Sequence, residues 1–205
     1  MKAGKILVIS VLITVSVFLF GGCDQGGGST SPVTYDIGDT GPAGGLIFYI
    51  DEADEFDWTY LEVAPASTEW VDIKWGGSGT EVTGAEGTAI GTGHQNTRDI
   101  VDQYGEREPC ENLSDYAARL CDNLVSGGRD DWFLPSQDEL NAIWTNLVND
   151  GTGASNGVGG FALDYYWASS EYGAGYAWIQ GMDEGLQYNN YKNNYSGRVR
   201  AVRAF

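Results

Sequence analysis

The segment at residues 131–140 constrains the fold of this chain more than any other stretch, and it reads DWFLPSQDEL. Pro135 suits the position just before a helix and cannot sit inside one, so the segment predicts a buried strand end that leads directly into a helix. Ser136 can accept a hydrogen bond from the Glu139 amide while the Glu139 side chain reaches back to Ser136, which is a capping box. Apolar residues at helical spacing then predict the buried face of this helix: Leu140, Ile143, Trp144 and Leu147.

The rest of the pattern predicts an α+β domain with two principal helices packed against antiparallel sheet. The other principal helix is predicted at residues 114–126, and a shorter helix is predicted to be capped by Thr97. Alternation and turn signals place the strands at residues 46–50, 60–64, 165–168, 176–180, 186–188 and 198–205. The last of these strands should be interrupted, because Val199 and Val202 lie three positions apart.

The N-terminus has the features of a lipoprotein signal peptide over residues 1–22. Lys2 and Lys5 precede an apolar stretch at residues 6–20 that is too short for an ordinary membrane-spanning helix. Small residues then lead to Cys23, which we expect to be acylated, with palmitate among its lipids; a plain signal peptide and an uncleaved anchor are the alternatives. Residues 23–34 are rich in Gly, Ser and Thr and predict a flexible tether. The folded domain is then expected to span residues 35–205.

The charge of the chain excludes some partners. The sequence has 29 acidic and 11 basic side chains and a formal net charge of −18. Removing Lys2 and Lys5 with the signal peptide brings the charge to about −20, which argues against nucleic acid and anionic lipid as partners. Basic residues nevertheless cluster near the C-terminus: Lys192, Arg198, Arg200 and Arg203. They could form a polyanion site, but for Arg198, Arg200 and Arg203 buried pairing with carboxylates is the preferred interpretation.

Catalytic and metal signals are weak, and the sequence predicts no cofactor, no metal ion and no catalytic residue. Cys110 and Cys121 form an even pair in an exported domain, which predicts a disulfide, and no second Cys/His pair supports zinc. His94 has no partner at a meaningful spacing and is expected to be an exposed loop residue. Asp51, Asp54 and Asp57 lack the pattern of a calcium loop and favour a solvated acidic turn, although calcium binding stays open.

The run at residues 188–196 (YNNYKNNYS) is the candidate ligand-binding segment. Its aromatic rings offer flat apolar faces and its amides offer donors and acceptors, which together match the surface of a sugar. Packing tyrosines and ordinary turn asparagines are the competing explanation. The candidate ligand-binding residues are Trp178, Tyr188, Asn189, Asn190, Tyr191, Asn193, Asn194 and Tyr195.

Five segments carry a resemblance to a known family: 38–49 (GDTGPAGGLIFY), 131–140, 166–171 (YWASSE), 177–178 (AW) and 199–203 (VRAVR). Together they resemble, over about residues 35–205, a bacterial domain family of unknown function that includes the C-terminal domain of the Legionella collagen-like adhesin. The resemblance implies a C-type-lectin-like fold, distantly related to formylglycine-generating enzymes. Those enzymes depend on paired cysteines near the C-terminus, and this chain has no cysteine after Cys121.

We therefore expect a binding module and not an enzyme. The module would be displayed in the bacterial cell envelope by its lipid anchor, in the outer membrane or at the cell surface, although an inner-membrane location stays open. Its partner would be a glycan or a protein, as for an adhesin. A periplasmic enzyme of the formylglycine-generating type and a purely structural envelope lipoprotein remain the alternatives.

Overall fold

The computed structural model describes residues 33–105, 115–149, 157–193 and 195–205, which contain eight strands and three helices. The strands are β1 (Leu46–Ile50), β2 (Tyr60–Val63), β3 (Trp70–Ile73), β4 (Tyr165–Gly173), β5 (Tyr176–Gly181), β6 (Gln187–Tyr191), β7 (Gly197–Val199) and β8 (Val202–Ala204). The helices are α1 (Gly93–Tyr104), α2 (Ala117–Asp122) and α3 (Gln137–Ile143). Thr34–Phe205 form one compact unit of mixed helix and sheet, which confirms the α+β class.

The strands form two sheets. The first is antiparallel, with strand order β1-β2-β8, and the second has the order β3-β7-β4-β5-β6. Within the second sheet only the β4–β7 pair is parallel, where Tyr166 lies opposite Arg198. The predicted break in the last strand is confirmed, because β7 ends at Val199 in one sheet and β8 begins at Val202 in the other. The chain therefore crosses between the sheets within two residues.

The predicted capping box at the start of α3 is confirmed. The Ser136 hydroxyl accepts from the Glu139 amide at 3.3 Å, and the Glu139 carboxylate accepts from the Ser136 amide at 2.7 Å. Of the predicted apolar stripe, Leu140, Ile143 and Leu147 are buried, whereas Trp144 is only partly buried. After Ile143 the chain continues as a π-helical turn over Trp144–Val148, which shifts the side chains of that turn relative to a regular α-helix.

Helix α1 is longer than predicted and starts earlier. It begins at Gly93, and Thr97 lies inside it, where the Thr97 hydroxyl donates to the Gly93 carbonyl at 2.8 Å. The same hydroxyl accepts from the Leu134 amide at 3.0 Å. Thr97 is therefore a buried link to the segment before α3 and does not cap a helix, so that prediction was wrong. Glycine has a low helix propensity, which is why the sequence pattern placed the start too late.

Helix α2 is shorter than predicted. It covers Ala117–Asp122 and buries Ala117 and Cys121. The chain then forms a separate tight turn in which Ser126 and Arg129 exchange two backbone hydrogen bonds of 3.0 Å. Gly127 and Gly128 occupy its two central positions with φ of 61° and 73°, a conformation that favours glycine. These glycines therefore build a hairpin-like turn that is separate from the end of the helix.

Strand β4 lies between two apolar clusters, because neighbouring strand residues face opposite sides of a sheet. Trp167 belongs to the first cluster, with Trp75, Tyr104, Tyr116 and Trp132 among its large members. Tyr166 and Ala168 belong to the second cluster, with Phe48, Leu61, Phe133, Leu140 and Ile143 among its members. The second sheet is thus covered on both faces around β4. Its solvent-exposed surface lies at the edge strand β6.

Several predictions concern residues outside the described ranges. Residues 1–22 and Cys23 lie there, as does Cys110, so the lipid anchor and the Cys110–Cys121 disulfide stay predictions. Cys121 itself is fully buried in α2, and burial raises the pKa of its thiol well above the usual range. Among the described residues, no helix is both long and apolar enough to cross a membrane.

Candidate functional site

The four basic residues near the C-terminus all form ion pairs with carboxylates of the domain. Arg203 donates to both carboxylate oxygens of Asp131 at 2.8 Å and to Glu62 at 3.4 Å. Arg198 pairs with Glu69 at 2.8 Å and with Asp164 at 3.0 Å. These pairs engage the guanidinium donors that a polyanion would otherwise use.

The other two basic side chains are almost completely buried. Arg200 donates to the Ala64 carbonyl at 2.7 Å, to the Gly159 carbonyl at 2.7 Å and to Glu69 at 3.1 Å. Lys192 has no exposed surface and pairs with the carboxylate of Glu171. The preferred interpretation of the arginines is therefore confirmed for Arg200 and Arg203, which are buried partners of carboxylates, whereas Arg198 is paired but only partly buried.

The tyrosine- and asparagine-rich run begins in a strand, as predicted for residues 186–188, but this strand extends further along the run than predicted. Gln187–Tyr191 form β6, which is the edge strand of the second sheet and pairs with β5. Tyr188, Asn189 and Tyr191 are exposed on this strand, and Asn193 is exposed just after it. Asn194 lies outside the described residues. A strand holds its side chains in place more precisely than a loop does.

The register of β5 and β6 divides the predicted ligand-binding residues between two faces, because directly opposite residues point to the same side. Tyr188 pairs with Ile179, so Tyr188 points to the face of the first apolar cluster, to which Ile179 belongs. Trp178 pairs with Asn189, and these two side chains point to the opposite face. The predicted residues therefore do not form one surface.

A depression on the first face collects three tyrosines. The ring centroid of Tyr165 lies 6.1 Å from that of Tyr188 and 6.2 Å from that of Tyr195, both in edge-to-face geometry. Desolvation raises the pKa of Tyr188 and of Tyr195. Neutral phenols such as these can donate and accept hydrogen bonds. The depression measures about 290 Å³, and we call it the tyrosine depression. Its lining residues are Tyr165, Ile179, Tyr188, Asn189, Asn190 and Tyr195.

The opposite face carries an aromatic strip. Trp178 meets Tyr172 edge to face with ring centroids 5.3 Å apart, and the Tyr176 and Tyr191 rings are 4.6 Å apart. A hydrogen bond with Tyr191 raises the pKa of the Tyr176 phenol. The polar ends of this ring pair thus already bond to each other, which leaves fewer free hydrogen-bonding groups than the tyrosine depression has.

A third feature, which sequence reasoning missed, is a cleft of about 430 Å³ beside His94. His94 is exposed on the first turn of α1, not on a loop as predicted, and its ring centroid lies 5.5 Å from that of Phe133. We call this feature the His94 cleft. Its lining residues are Asp57, Trp58, Gly91, His94, Gln95, Asp131, Phe133, Glu139 and Ala204. They come from segments far apart in the chain, so no local pattern could have shown the cleft.

Glu139 lies at the base of the His94 cleft and is fully buried. Its carboxylate accepts from the amides of Gly91 at 2.8 Å and Ser136 at 2.7 Å, and it also bonds the Gly93 amide. Burial raises the pKa of Glu139 to about 7, and these amides oppose the rise. A Cβ at Gly93 would overlap the Glu139 carboxylate, so only glycine allows this close approach. Glu139 thus joins the starts of α1 and α3.

The acidic turn after β1 is stabilised by a hydrogen bond between one of its carboxylates and one of its backbone amides. Asp51 is buried and accepts from the Phe56 amide at 2.9 Å, while Asp54 and Asp57 are exposed. In the part of the chain that the structure describes, no three His, Cys, Asp or Glu side chains are grouped so that they could hold a metal ion.

In comparisons with known proteins, no protein-family model matches this chain, and no curated protein matches it. The family resemblance found in the sequence therefore stays a prediction. The fold and the surfaces described above define an acidic α+β domain with an aromatic edge strand.

Proposed function

We propose that the protein is a lipid-anchored binding module of the bacterial cell envelope and that the tyrosine depression binds a neutral glycan. The observation that carries the proposal is the grouping of Tyr165, Tyr188 and Tyr195 beside Asn190 on an exposed sheet edge. A protein partner at the same edge is the second possibility. The proposal assigns no catalytic step to the chain.

The chemistry of the tyrosine depression suits a sugar. Aromatic rings present flat apolar surfaces on which the C–H faces of a pyranose can pack, and phenol and amide groups can bond its hydroxyls. The paired β5 and β6 strands hold Tyr188 and Asn190 in place before the ligand arrives, which lowers the entropy cost of binding. Preorganised aromatic and amide groups therefore favour a glycan at this position.

The electrostatics favour a neutral glycan over a sulfated one. In the part of the chain that the structure describes, no residue that lines the tyrosine depression carries a formal charge at pH 7. The nearby basic side chains of Arg198 and Lys192 are already paired with carboxylates. The chain has a formal net charge of −18, which repels polyanions over about one Debye length.

The proposal includes a C-type-lectin-like fold and an adhesin-like role. The resemblance of residues 35–205 to the adhesin domain family supports both. The α+β class and the two-sheet arrangement are compatible with such a fold. Display at the outer membrane or cell surface would place the domain where envelope or extracellular glycans are accessible.

The lipid anchor is tested by replacing its acceptor. We expect Cys23→Ser to abolish incorporation of a fatty-acid probe and to release the protein from membranes or block its processing, because serine lacks the thiol that is acylated. Metabolic labelling and membrane fractionation measure both effects, with Cys121→Ser as the control for a cysteine buried in the domain. Equal labelling of Cys23→Ser and the unmodified chain would contradict this prediction.

The ligand class is tested with the soluble fragment at residues 35–205. On an array of neutral and sulfated glycans we expect signal on neutral glycans, because the basic side chains are occupied. In a titration with heparin we expect no binding at micromolar concentrations, at low or at physiological salt.

Arg198→Ala is the variant that tests whether any heparin binding uses the basic C-terminal segment. Of the four basic side chains, that of Arg198 is the most exposed, with 26% of its surface accessible. Micromolar heparin binding that Arg198→Ala removes would contradict the proposal and make the basic C-terminal segment the site. Binding of an envelope protein in a pull-down, without any glycan signal, would replace the glycan by the protein partner.

A further inference from the structure

The aromatic wall of the His94 cleft is fixed in place by its neighbours. Trp58 lines the cleft and stacks on Phe56 with ring centroids 4.4 Å apart and an angle of 4° between the planes. Tyr49 packs on Trp58 at 6.1 Å in edge-to-face geometry. The Phe56 amide in turn donates to the buried Asp51. The indole is therefore supported from behind and is available to a ligand through its remaining surface.

The charged groups at the cleft are acidic. Asp57 and Asp131 are both exposed and line the cleft, and among the described residues no lysine or arginine lines it. Arg203 is the cation bound to Asp131, but it is also paired with Glu62, so two carboxylates surround one guanidinium. Such a site repels anions and attracts cations.

Asp57 is the carboxylate most open to a ligand. Asp57 is exposed and directly follows Phe56, whose amide is hydrogen-bonded to Asp51. In the described ranges it makes no hydrogen bond and no ion pair of its own, whereas Asp131 is engaged by Arg203. A carboxylate without a partner next to a supported indole is the combination that binds cations through charge and through the ring face.

We propose that the His94 cleft is a second ligand site and binds a small organic cation, such as a quaternary ammonium ion or a protonated amine. The cleft volume of about 430 Å³ is in the range of small-molecule sites. Trp58 supplies the aromatic face, Asp57 supplies the counter-charge, and the net charge of −18 adds long-range attraction. This site is separate from the tyrosine depression and does not depend on the glycan proposal.

Choline and its uncharged isostere 3,3-dimethylbutan-1-ol test the proposal, because they share one shape and differ in charge. The purified full-length protein in a non-ionic detergent is titrated with each by calorimetry and by tryptophan fluorescence. We expect choline to bind with a dissociation constant of about 1 mM or lower, and the isostere to bind at least about tenfold more weakly. Phosphocholine should bind more weakly than choline, because the described lining residues of the cleft offer its phosphate no basic side chain. This comparison distinguishes a free cation from a lipid headgroup.

Two variants and two controls locate the binding. Asp57→Asn and Trp58→Leu should each weaken choline binding by about fivefold or more, since each removes one attraction. Two control variants lie outside the cleft. Asp102→Asn removes an exposed charge from α1, and Tyr172→Leu removes an exposed ring from the second sheet. The choline affinity of each control should stay within about twofold of that of the unmodified protein. Because Asp57 is exposed, Asp57→Asn is expected to fold normally, so it keeps the test valid if Trp58→Leu does not fold.

Three results would overturn the proposal. They are equal binding of choline and its isostere, stronger binding of phosphocholine than of choline, and choline binding that Asp57→Asn leaves unchanged. Absence of choline binding at about 20 mM, a concentration well above weak cation–aromatic affinities, would overturn it as well.

Discussion

Replacing Lys192 by alanine should lower the free energy of unfolding by about 3–5 kcal/mol. Lys192 is fully buried, pairs with Glu171 and lies 4.7 Å from the centroid of the Trp75 ring. Burial lowers the pKa of Lys192, and the hydrogen bond with Glu171 opposes that shift. In Lys192→Ala the Glu171 carboxylate keeps its bonds to the Val82 amide but loses its counter-ion in a buried position. Denaturant melts of the soluble fragment measure the loss.

A double variant separates the ionic effect from simple loss of packing. Lys192→Met combined with Glu171→Gln removes both charges while keeping the side-chain length and an acceptor for Val82, so we expect it to be more stable than Lys192→Ala. Arg98→Ala removes one positive charge from an exposed position on α1 and should change stability by less than about 0.5 kcal/mol. A loss below about 1 kcal/mol for Lys192→Ala, or a double variant less stable than the single one, would contradict a stabilising buried pair.

Glu139 should make the domain less stable as the pH rises from about 4.5 to above 7. Its pKa is raised from the ordinary value of 4.5 to about 7 in the folded protein, because the carboxyl is desolvated. The folded state therefore holds the proton more tightly than the unfolded chain does. The resulting stabilisation is complete below about pH 4.5, and about 3 kcal/mol of it is lost once the pH exceeds 7.

The matched control for this pH dependence is Glu139→Gln, which cannot titrate. The unfolding free energy of the unmodified protein should fall by about 2.5 kcal/mol relative to that of Glu139→Gln between pH 5 and pH 8. Asp131 titrates in a separate window, because its hydrogen bond to Arg203 lowers its pKa below the usual value of 3.8. A difference that stays constant from pH 5 to pH 8 would show that Glu139 titrates at its ordinary value.

The parts of the fold that depend on neighbours in sequence were predictable. The capping box of Ser136 and Glu139 and the buried stripe of α3 follow from local hydrogen bonding and from helical periodicity. Strand β1 was predicted with its observed bounds because an apolar run follows a Gly/Pro turn. Strand β3 was not predicted, since it forms by pairing with β7, more than a hundred residues away in the chain.

The start of α1 and the His94 cleft could not be predicted, because both depend on tertiary contacts. Gly93 begins the helix where the buried Glu139 carboxylate must approach its backbone, and that requirement is invisible in a local window. The closely spaced glycines at 91 and 93 were the only available signal. Trp58, His94 and Asp131 meet in the cleft only after the chain has folded.

The composition of the candidate glycan site was predictable, but its geometry was not. Aromatic and amide residues in the run at 188–196 indicated a recognition surface. Asparagine is uncommon in strands, so the predicted strand ended at residue 188, yet pairing with β5 makes Gln187–Tyr191 an edge strand. The register of that pairing places Tyr188 and Trp178 on opposite faces, and Tyr165 joins Tyr188 from a third strand. Neither fact is encoded in local spacing.

Comparison of two double variants on a neutral glycan array tests the central claim most directly. Tyr188→Ala with Asn190→Ala changes the tyrosine depression, and Tyr172→Ala with Tyr191→Ala changes the aromatic strip on the opposite face. We predict that the first variant loses neutral-glycan binding by about tenfold or more, as expected for removing an aromatic anchor and its polar neighbour, and that the second stays within about twofold of the unmodified fragment. Equal binding by the first variant, or a loss confined to the second, would contradict the assignment of the glycan site to the tyrosine depression.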